Sequence, residues 1–345
     1  MKKNILNIIT GLAGASMLLV MTACGEKEFY DDEQYRKECY IVSGDNNIFG
    51  QEYVFGENSV GYLSVYMSGS TPVDHDVTVT LRPASHLLKE YNQRVNGSVY
   101  ANYAELLPES AYTVPDGWTT TITPANSYTM FPISVNVDQL DLSKTYYLPI
   151  EIASVSDYQY SATKNYVLFR IYVKNAYATT KSSTYYQMYG TTLDLKADGE
   201  SLVKVDEEAV PTVFNATKLT VPLSENDVRI LPGSTQSSEV AVVNQRSIRV
   251  TVTDEVYQNP VLGDDGLPTG QTIPVLIVKV EPLNVGSGCV QVRTAYDIVT
   301  GEEQVSFYNP ADNTFTLNYT YRMPSEKSGS ADLWHKVHEE LSRLN

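Results

Sequence analysis

The chain has 345 residues, of which 42% are hydrophobic and 19% charged, the balance of a folded protein of one large or two ordinary domains. Lys and Arg total 25 against 41 Asp and Glu, a net charge of −16, and such a surface repels both polyphosphate and anionic headgroups. Nucleic acid is therefore excluded as a partner. Four His and three Cys offer little to a zinc centre, and 26 Tyr against 8 Phe and 2 Trp concentrate the aromatic content in rings with a polar tip.

Residues 1–23 open with Lys2 and Lys3, continue as an apolar run and end in small residues before Cys24. A charged start, an apolar middle and a small-residue stop make a secretory signal. A single membrane span is the other reading, but Asn7, Thr10 and several glycines interrupt the run. Removing 1–23, which hold two bases and no acid, leaves 23 bases against 41 acids, or −18 over 322 residues. Residues 24–38 carry Glu26, Glu28, Asp31, Asp32 and Glu33 and read as an acidic tether.

From residue 39 onward the chain alternates with period two. Leu63, Val65 and Met67 share one face, as do Val77, Val79 and Leu81. Phe131, Ile133, Val135 and Val137 repeat the pattern, followed by Leu148, Ile150 and Ile152, and by Val167, Phe169, Ile171 and Val173. Half-buried strands bounded by Gly, Pro, Asn and Asp predict a β-sandwich over 39–176. Residues 84–107 break the pattern: Leu87, Leu88, Tyr91 and Val95 fall at helical spacing, and Asn96-Gly97 ends the run. A helical insertion is expected there, with a further turn over 100–107.

Small and polar residues over 175–183 mark a boundary, and a second β domain is expected over 184–345. Its strands are read over 219–223, 248–256, 273–280, 289–296 and 315–321. Gly263-Asp264-Asp265-Gly266 lacks the spacing of a calcium loop and reads as a hairpin turn. Phe315, Leu317, Tyr319 and Tyr321 face one way, as in the wall of a small barrel or sandwich. Leu333, Val337, Leu341 and Leu344 form an apolar stripe that predicts an amphipathic terminal helix, with His335 and His338 on its solvated face. The fold class is thus all-β, with one helical insertion and a terminal helix.

No nucleophile elbow, phosphate loop, H-E-x-x-H or C-x-x-C pattern occurs. Cys39 and Cys289 could pair, but they lie in different expected domains and read as two buried free thiols. Catalysis is not expected, and neither is a cofactor or a metal. Binding remains. Sugar rings stack their C–H faces on flat aromatics, which singles out rings near turns. Trp118 follows the turn Pro115-Asp116-Gly117 and either meets a ligand or caps the sandwich core. Tyr112 is a further candidate nearby. Tyr185, Tyr186 and Tyr189 cluster at the entrance of the second domain, as contacts or as core. Trp334 reads as core.

Several segments resemble known families. Met21-Thr22-Ala23-Cys24 is similar to the lipobox of bacterial lipoproteins, in which the Cys24 sulfur takes up diacylglycerol. The acidic tether resembles the surface-export signal of Bacteroidetes lipoproteins. Lys89-Glu90-Tyr91-Asn92, then Leu107-Pro108-Glu109 and Tyr112, then Ile122-Thr123, the strand over 135–141 and Tyr147-Leu148-Pro149-Ile150-Glu151-Ile152 form an ordered set. It resembles the N-terminal domain of unknown function found in Bacteroidetes surface lipoproteins of glycan-utilisation loci. The likeness covers residues 39–173. It departs from the pattern at Pro124-Ala125-Asn126, where a Gly is expected. The second half is similar to the companion C-terminal domain.

The resemblance implies an immunoglobulin-like first domain and a lipocalin-like second domain. It also implies a glycan-binding role at the outer membrane, facing the cell exterior beside a sugar importer. Two rival roles are a barrel carrier of an apolar ligand and an adhesin or structural surface subunit.

Overall fold

The computed structural model describes residues 33–344, apart from 57–58, 143, 199–200, 324–326 and 329–330. The signal segment, Cys24 and the tether up to residue 32 lie outside the described residues.

The first half contains β1 (Glu38–Ile41), β2 (Ile48–Val54), β3 (Ser59–Met67), β4 (Val77–Pro83), β5 (Glu105–Leu106), β6 (Tyr112–Thr113), β7 (Thr119–Ile122), β8 (Tyr128–Val135), β9 (Tyr146–Val155), β10 (Gln159–Tyr160) and β11 (Tyr166–Lys174). One sheet runs β10-β1-β3-β8-β6, the other β2-β11-β9-β4-β7 with β5 on β9. Alternation decides which side chains meet between them. Leu63, Val65, Phe131, Ile133, Val79, Ile150 and Phe169 face inward into one continuous core. Each such side chain, fully buried, contributes about 1.5–3 kcal/mol of transfer free energy. Tyr53 is buried with them, and its hydroxyl donates to the Ile133 carbonyl at 3.1 Å, so the polar tip costs little.

The expected helical insertion is α1 (Ser85–Asn96). It ends at Gly97, whose φ of +55° suits a residue without a Cβ. Leu88 packs on Tyr147 and Leu168, on the outer face of the second sheet. Asn92 holds the returning chain: its amide donates to the Ala104 carbonyl at 2.8 Å, and its oxygen accepts from the Ala104 N–H at 2.9 Å. Beyond α1 there is one 3-10 turn, Tyr100–Asn102, before β5.

The second half contains β12 (Thr184–Asp198), β13 (Ser201–Lys204), β14 (Thr212–Pro222), β15 (Asp227–Ile230), α2 (Val240–Arg246), β16 (Ile248–Leu262), β17 (Pro268–Pro282), β18 (Gln291–Thr294), β19 (Phe307–Asn309), β20 (Thr314–Arg322), β21 (Lys327–Ser328) and β22 (Ala331–Arg343). Strands β12, β14, β15, β16, β17, β19, β20 and β22 pair antiparallel in that order, and β22 pairs back onto β12. The sheet therefore closes into an eight-stranded barrel with no free edge in the circuit. Gly190 sits at the closing seam, where a Cβ would lie 2.5 Å from the His338 carbonyl oxygen.

Tyr186, Met188, Ile248, Val250, Phe315, Leu317, Tyr319, Val337 and Leu341 fill the barrel interior as one cluster. The inward aromatic row of β20 is present as expected. The turn over 263–266 joins β16 to β17, closed by the Gly263 N–H on the Leu267 carbonyl at 2.8 Å.

The terminal helix is not formed: the segment is β22, paired along its length with β12 and β20. Its apolar spacing misled because one inward position is an acid. Val337, Glu339 and Leu341 all point inward, and Glu339 is 0% exposed. Lys218 meets its carboxylate at 2.5 Å and the Tyr319 hydroxyl donates to it at 2.9 Å. That hydroxyl in turn accepts from the Gly233 N–H at 2.8 Å. Burial pushes the Lys218 ammonium below its usual range, against the pull of Glu339. Residues three apart on a strand face opposite ways, so His335 and His338 share no face. His335 meets Asp194 at 2.8 Å and His338 meets Asn318 at 2.8 Å.

Candidate functional site

Trp118 ends a tight turn after Gly117 and takes a φ of +56°. Its ring lies over Phe131 at 5.8 Å and 26°, with Tyr112 edge-on at 6.3 Å. Both rings are half-buried and pack on the first core. The structure brings this pair together as a cap on the sandwich. Burial, with Glu109 nearby, raises the Tyr112 phenol above its usual value.

The β12 tyrosines divide by parity. Tyr186 points into the barrel and is 1% exposed, its hydroxyl donating to the Tyr177 carbonyl at 2.9 Å. Its ring meets Phe315 at 5.7 Å. It is a core residue, and its candidacy as a ligand contact is corrected. Tyr185 and Tyr189 point outward, 43% and 59% exposed. Four residues of strand place them roughly 13 Å apart, so they do not converge. Trp334 is buried against Leu193 and Leu195, as expected for core, with the guanidinium of Arg293 4.3 Å from its ring centre.

Tyr185 stands between two cavities. One, of about 760 Å³, is lined by Ser182, Ser183, Thr217, Asp312, Asn313 and Arg343 as well as Tyr185. The other, of about 440 Å³, shares Tyr185 and Thr217 and adds Leu219, Arg229, Gln236 and Ser237. A smaller cavity of about 200 Å³ shares Ser183 with the first and Leu219 with the second, and Tyr146 and Arg170 of the first domain also line it. Cavities of ~300–1,000 Å³ are the usual size of a small-ligand site.

The walls are fixed by the chain around them. The connector between domains is pinned by Asn175, whose amide donates to the Ser224 and Asp227 carbonyls at 2.8 and 3.0 Å. Its oxygen accepts from the Tyr177 and Ala178 N–H groups. Thr179 donates to Glu52 at 2.7 Å, and Thr184 accepts from the Thr179 N–H at 2.9 Å. On the opposite wall the turn from β19 to β20 is held by Asp312, which accepts from Asn309 and Thr314. Asn313, at a φ of +58°, accepts from the Tyr308 hydroxyl at 2.9 Å. Arg343 donates to the Ala176 carbonyl at 3.2 Å. One exposed ring thus borders hydroxyls, amides, one acid and two guanidinium groups, together with the apolar side chains of Leu219, Ile230, Leu231 and Val243. Such a set can take an apolar face and several hydroxyls at once.

Sequence reasoning found Tyr185 but missed Asp312, Asn313 and Arg343. The turn residues Asp312-Asn313 were a visible signal, but the strand identity of β22 was hidden. A second exposed aromatic face was also missed. Tyr40, Tyr66 and Tyr128 are cross-strand neighbours on β1, β3 and β8, on the outer face of the first sheet. Tyr66 and Tyr128 lie 6.2 Å apart with planes within 3°, and Tyr40 lies 5.5 Å from Tyr66.

Fold and site together define an all-β protein of two domains, a sandwich followed by a closed barrel with a groove of mixed polar and apolar lining on its wall. Residues 35–159 match a family model for an N-terminal domain, and residues 165–342 match one for a C-terminal domain. The chain belongs to the family whose two domains these models describe. No curated protein matches it.

Among solved structures, a Bacteroides ovatus protein of unknown function is similar at 15% identity and a TM-score of 0.53, covering 90% of this chain and 94% of its own. A multidomain protein including DUF1735, from the same organism, is similar at 12% identity and a TM-score of 0.51, covering 88% and 94%. An auxiliary nutrient binding protein from Bacteroides thetaiotaomicron is similar at 13% identity and a TM-score of 0.50, covering 87% and 91%. At these identities the likeness is one of fold.

Proposed function

We propose that this chain is a lipid-anchored surface protein that captures saccharides without cleaving them, in the groove around Tyr185. The observation that carries the reading is the exposed Tyr185 ring set between two cavities, one lined by Ser, Thr and Asn side chains and the other mixing Thr, Gln and Ser with Leu219, Leu231 and Val243. A pyranose lays its C–H face on the ring. Its hydroxyls then exchange hydrogen bonds with Ser183, Thr217, Gln236 and Asn313, directly or through water. Asp312 and Arg343 fix the direction of the chain across the groove.

The lipobox at Cys24 and the acidic tether support an outer-membrane anchor facing the cell exterior, beside a sugar importer. One fold neighbour being described as an auxiliary nutrient binding protein is in keeping with this role. The carrier reading is disfavoured, because Phe315, Leu317 and Tyr319 pack the barrel interior where an apolar ligand would sit.

Native affinity gels cast with yeast mannan, xylan or barley β-glucan test the groove. Retardation of the wild type by at least one, lost in Tyr185→Ala, is expected. A Tyr185→Ala chain retarded like the wild type refutes it. Acyl labelling of the wild type but not of Cys24→Ser tests the anchor.

A further inference from the structure

The first domain carries an aromatic surface that the groove reading leaves unused. The outward positions of β1, β3 and β8 are Glu38, Tyr40, Val60, Tyr62, Ser64, Tyr66, Tyr128, Met130, Pro132 and Ser134. Tyr62 and Tyr128 are about half exposed. The strand register aligns Tyr40 with Tyr66 and Tyr66 with Tyr128, so these rings form a row that crosses the strands. Tyr62 and Met130 flank the row, and Met130 accepts from the Ser64 hydroxyl.

Two features narrow what can lie there. The first is charge. In a chain of net −16, the only charged side chain on these outward positions is Glu38, at the margin and paired with Arg36 at 3.4 Å. The face neither attracts a cationic partner nor repels a neutral one. The second is spacing. A row crossing a sheet steps by about 4.8 Å per strand, close to the rise of one pyranose in an extended chain. The ring centres step by 5.5 and 6.2 Å, with Tyr40 tilted 41° to Tyr66 and Tyr66 parallel to Tyr128, so the row is an aromatic strip one strand spacing per step, not a single flat plane. Tyrosine supplies both an apolar face and a hydroxyl for each sugar.

We infer that the Tyr40–Tyr66–Tyr128 face is a second saccharide contact, for a neutral, extended polysaccharide chain. This rests on the groove reading, because the polymer is the one the groove holds. Two sites joined through one chain act by effective concentration, which multiplies apparent affinity by about 10²–10⁴ for a ligand long enough to reach both. A short oligosaccharide gains none of this.

The test compares wild type, Tyr66→Ala/Tyr128→Ala and Tyr66→Phe/Tyr128→Phe in the full chain. The probes are the neutral polysaccharide among mannan, xylan and β-glucan that retards the wild type, and its tetrasaccharide. The alanine pair is expected to lose about tenfold or more in apparent affinity for the polymer and much less for the tetrasaccharide. The phenylalanine pair, which keeps the rings, is expected to recover most of the loss. Equal polymer affinity in the alanine pair and the wild type overturns the second contact and leaves the groove standing. An equal loss on polymer and tetrasaccharide also overturns it, as the signature of a damaged fold. If no polysaccharide retards the wild type, the groove reading falls and takes this one with it.

Discussion

Lys218→Met tests the structure where it takes its largest electrostatic risk. The Lys218 side chain is 3% exposed and that of Glu339 is 0% exposed, and they meet inside the barrel. Methionine has nearly the shape of lysine without its charge, so packing is largely kept. Glu339 is then left with the Tyr319 hydroxyl and no counter-charge. Removing one partner of a buried pair costs about 3–5 kcal/mol. In a domain of this size each kcal/mol shifts the melting temperature by about 2–4 °C, so a fall of roughly 6–20 °C is expected. Replacing both partners, as in Lys218→Met/Glu339→Leu, removes the stranded charge. It leaves mainly the Tyr319 hydroxyl without its acceptor, a cost of about 1–3 kcal/mol. Urea unfolding of the wild type, both single variants and the double variant closes a thermodynamic cycle. The double variant should be more stable than Lys218→Met. Single variants within about 1 kcal/mol of the wild type, or a double variant whose loss is the sum of the two, would refute the reasoning.

Three further outcomes follow from burial and close approach. Burial pushes the Cys39 thiol up to about 12, so a thiol reagent at neutral pH should label half-buried Cys289 in the folded chain and Cys39 only after unfolding. Peptide mapping reads this directly, and equal labelling in the folded state would contradict it. Gly190→Ala should destabilise by about 1–3 kcal/mol through overpacking, since its Cβ would meet the His338 carbonyl and the Glu339 Cβ. A melting temperature equal to that of the wild type would show that the seam is looser than described. Tyr53, Tyr186 and Tyr319 are raised by burial above the ordinary tyrosine value. Above about pH 10 the unfolded chain sheds phenolic protons that the folded chain keeps. Their contribution to stability is therefore complete below that pH and is lost as pH rises through the folded values. Alkaline unfolding should coincide with a late rise in phenolate absorbance. Early titration of every tyrosine with the fold intact would contradict it.

The sandwich core was legible because β3, β4 and β8 alternate clearly between buried and more exposed positions. Leu63 faces Phe131 and Gly61 faces Ile133 across one antiparallel pair, and of the inward positions there only Ser59 and Thr129, near its two ends, are polar. The helix over Leu87, Leu88 and Tyr91 was legible for the corresponding reason, with Gly97 as its stop. The barrel's last strand was not. Glu339 occupies an inward position, and its partner Lys218 is 121 residues away. A buried acid looks like a surface residue until its partner is known. Trp334 faces the opposite side from Val337, which also blurs the alternation.

The groove was illegible for a related reason. Ser183 is a chain neighbour of Tyr185, but Thr217 reaches it through the β12–β14 pairing, and Arg343 with Asp312 through barrel closure. Between Tyr185 and Tyr186, strand parity alone decides which ring is core and which is surface, and the register fixing it lies in β14 and β22. Alternation with Leu63 and Val65 puts Tyr66 on the outer face, but its row with Tyr40 and Tyr128 exists only across strands.

The central claim is capture at Tyr185 without cleavage. Calorimetric titration of wild type and Tyr185→Ala with an oligosaccharide cut from the retarding polysaccharide, followed by chromatography of the mixture, tests it most directly. The account predicts measurable heat with the wild type, affinity at least about tenfold weaker in the variant, a loss of ~1.4 kcal/mol, and saccharide of unchanged length. Equal affinity in Tyr185→Ala, or shortened chains after incubation with the wild type, would contradict it.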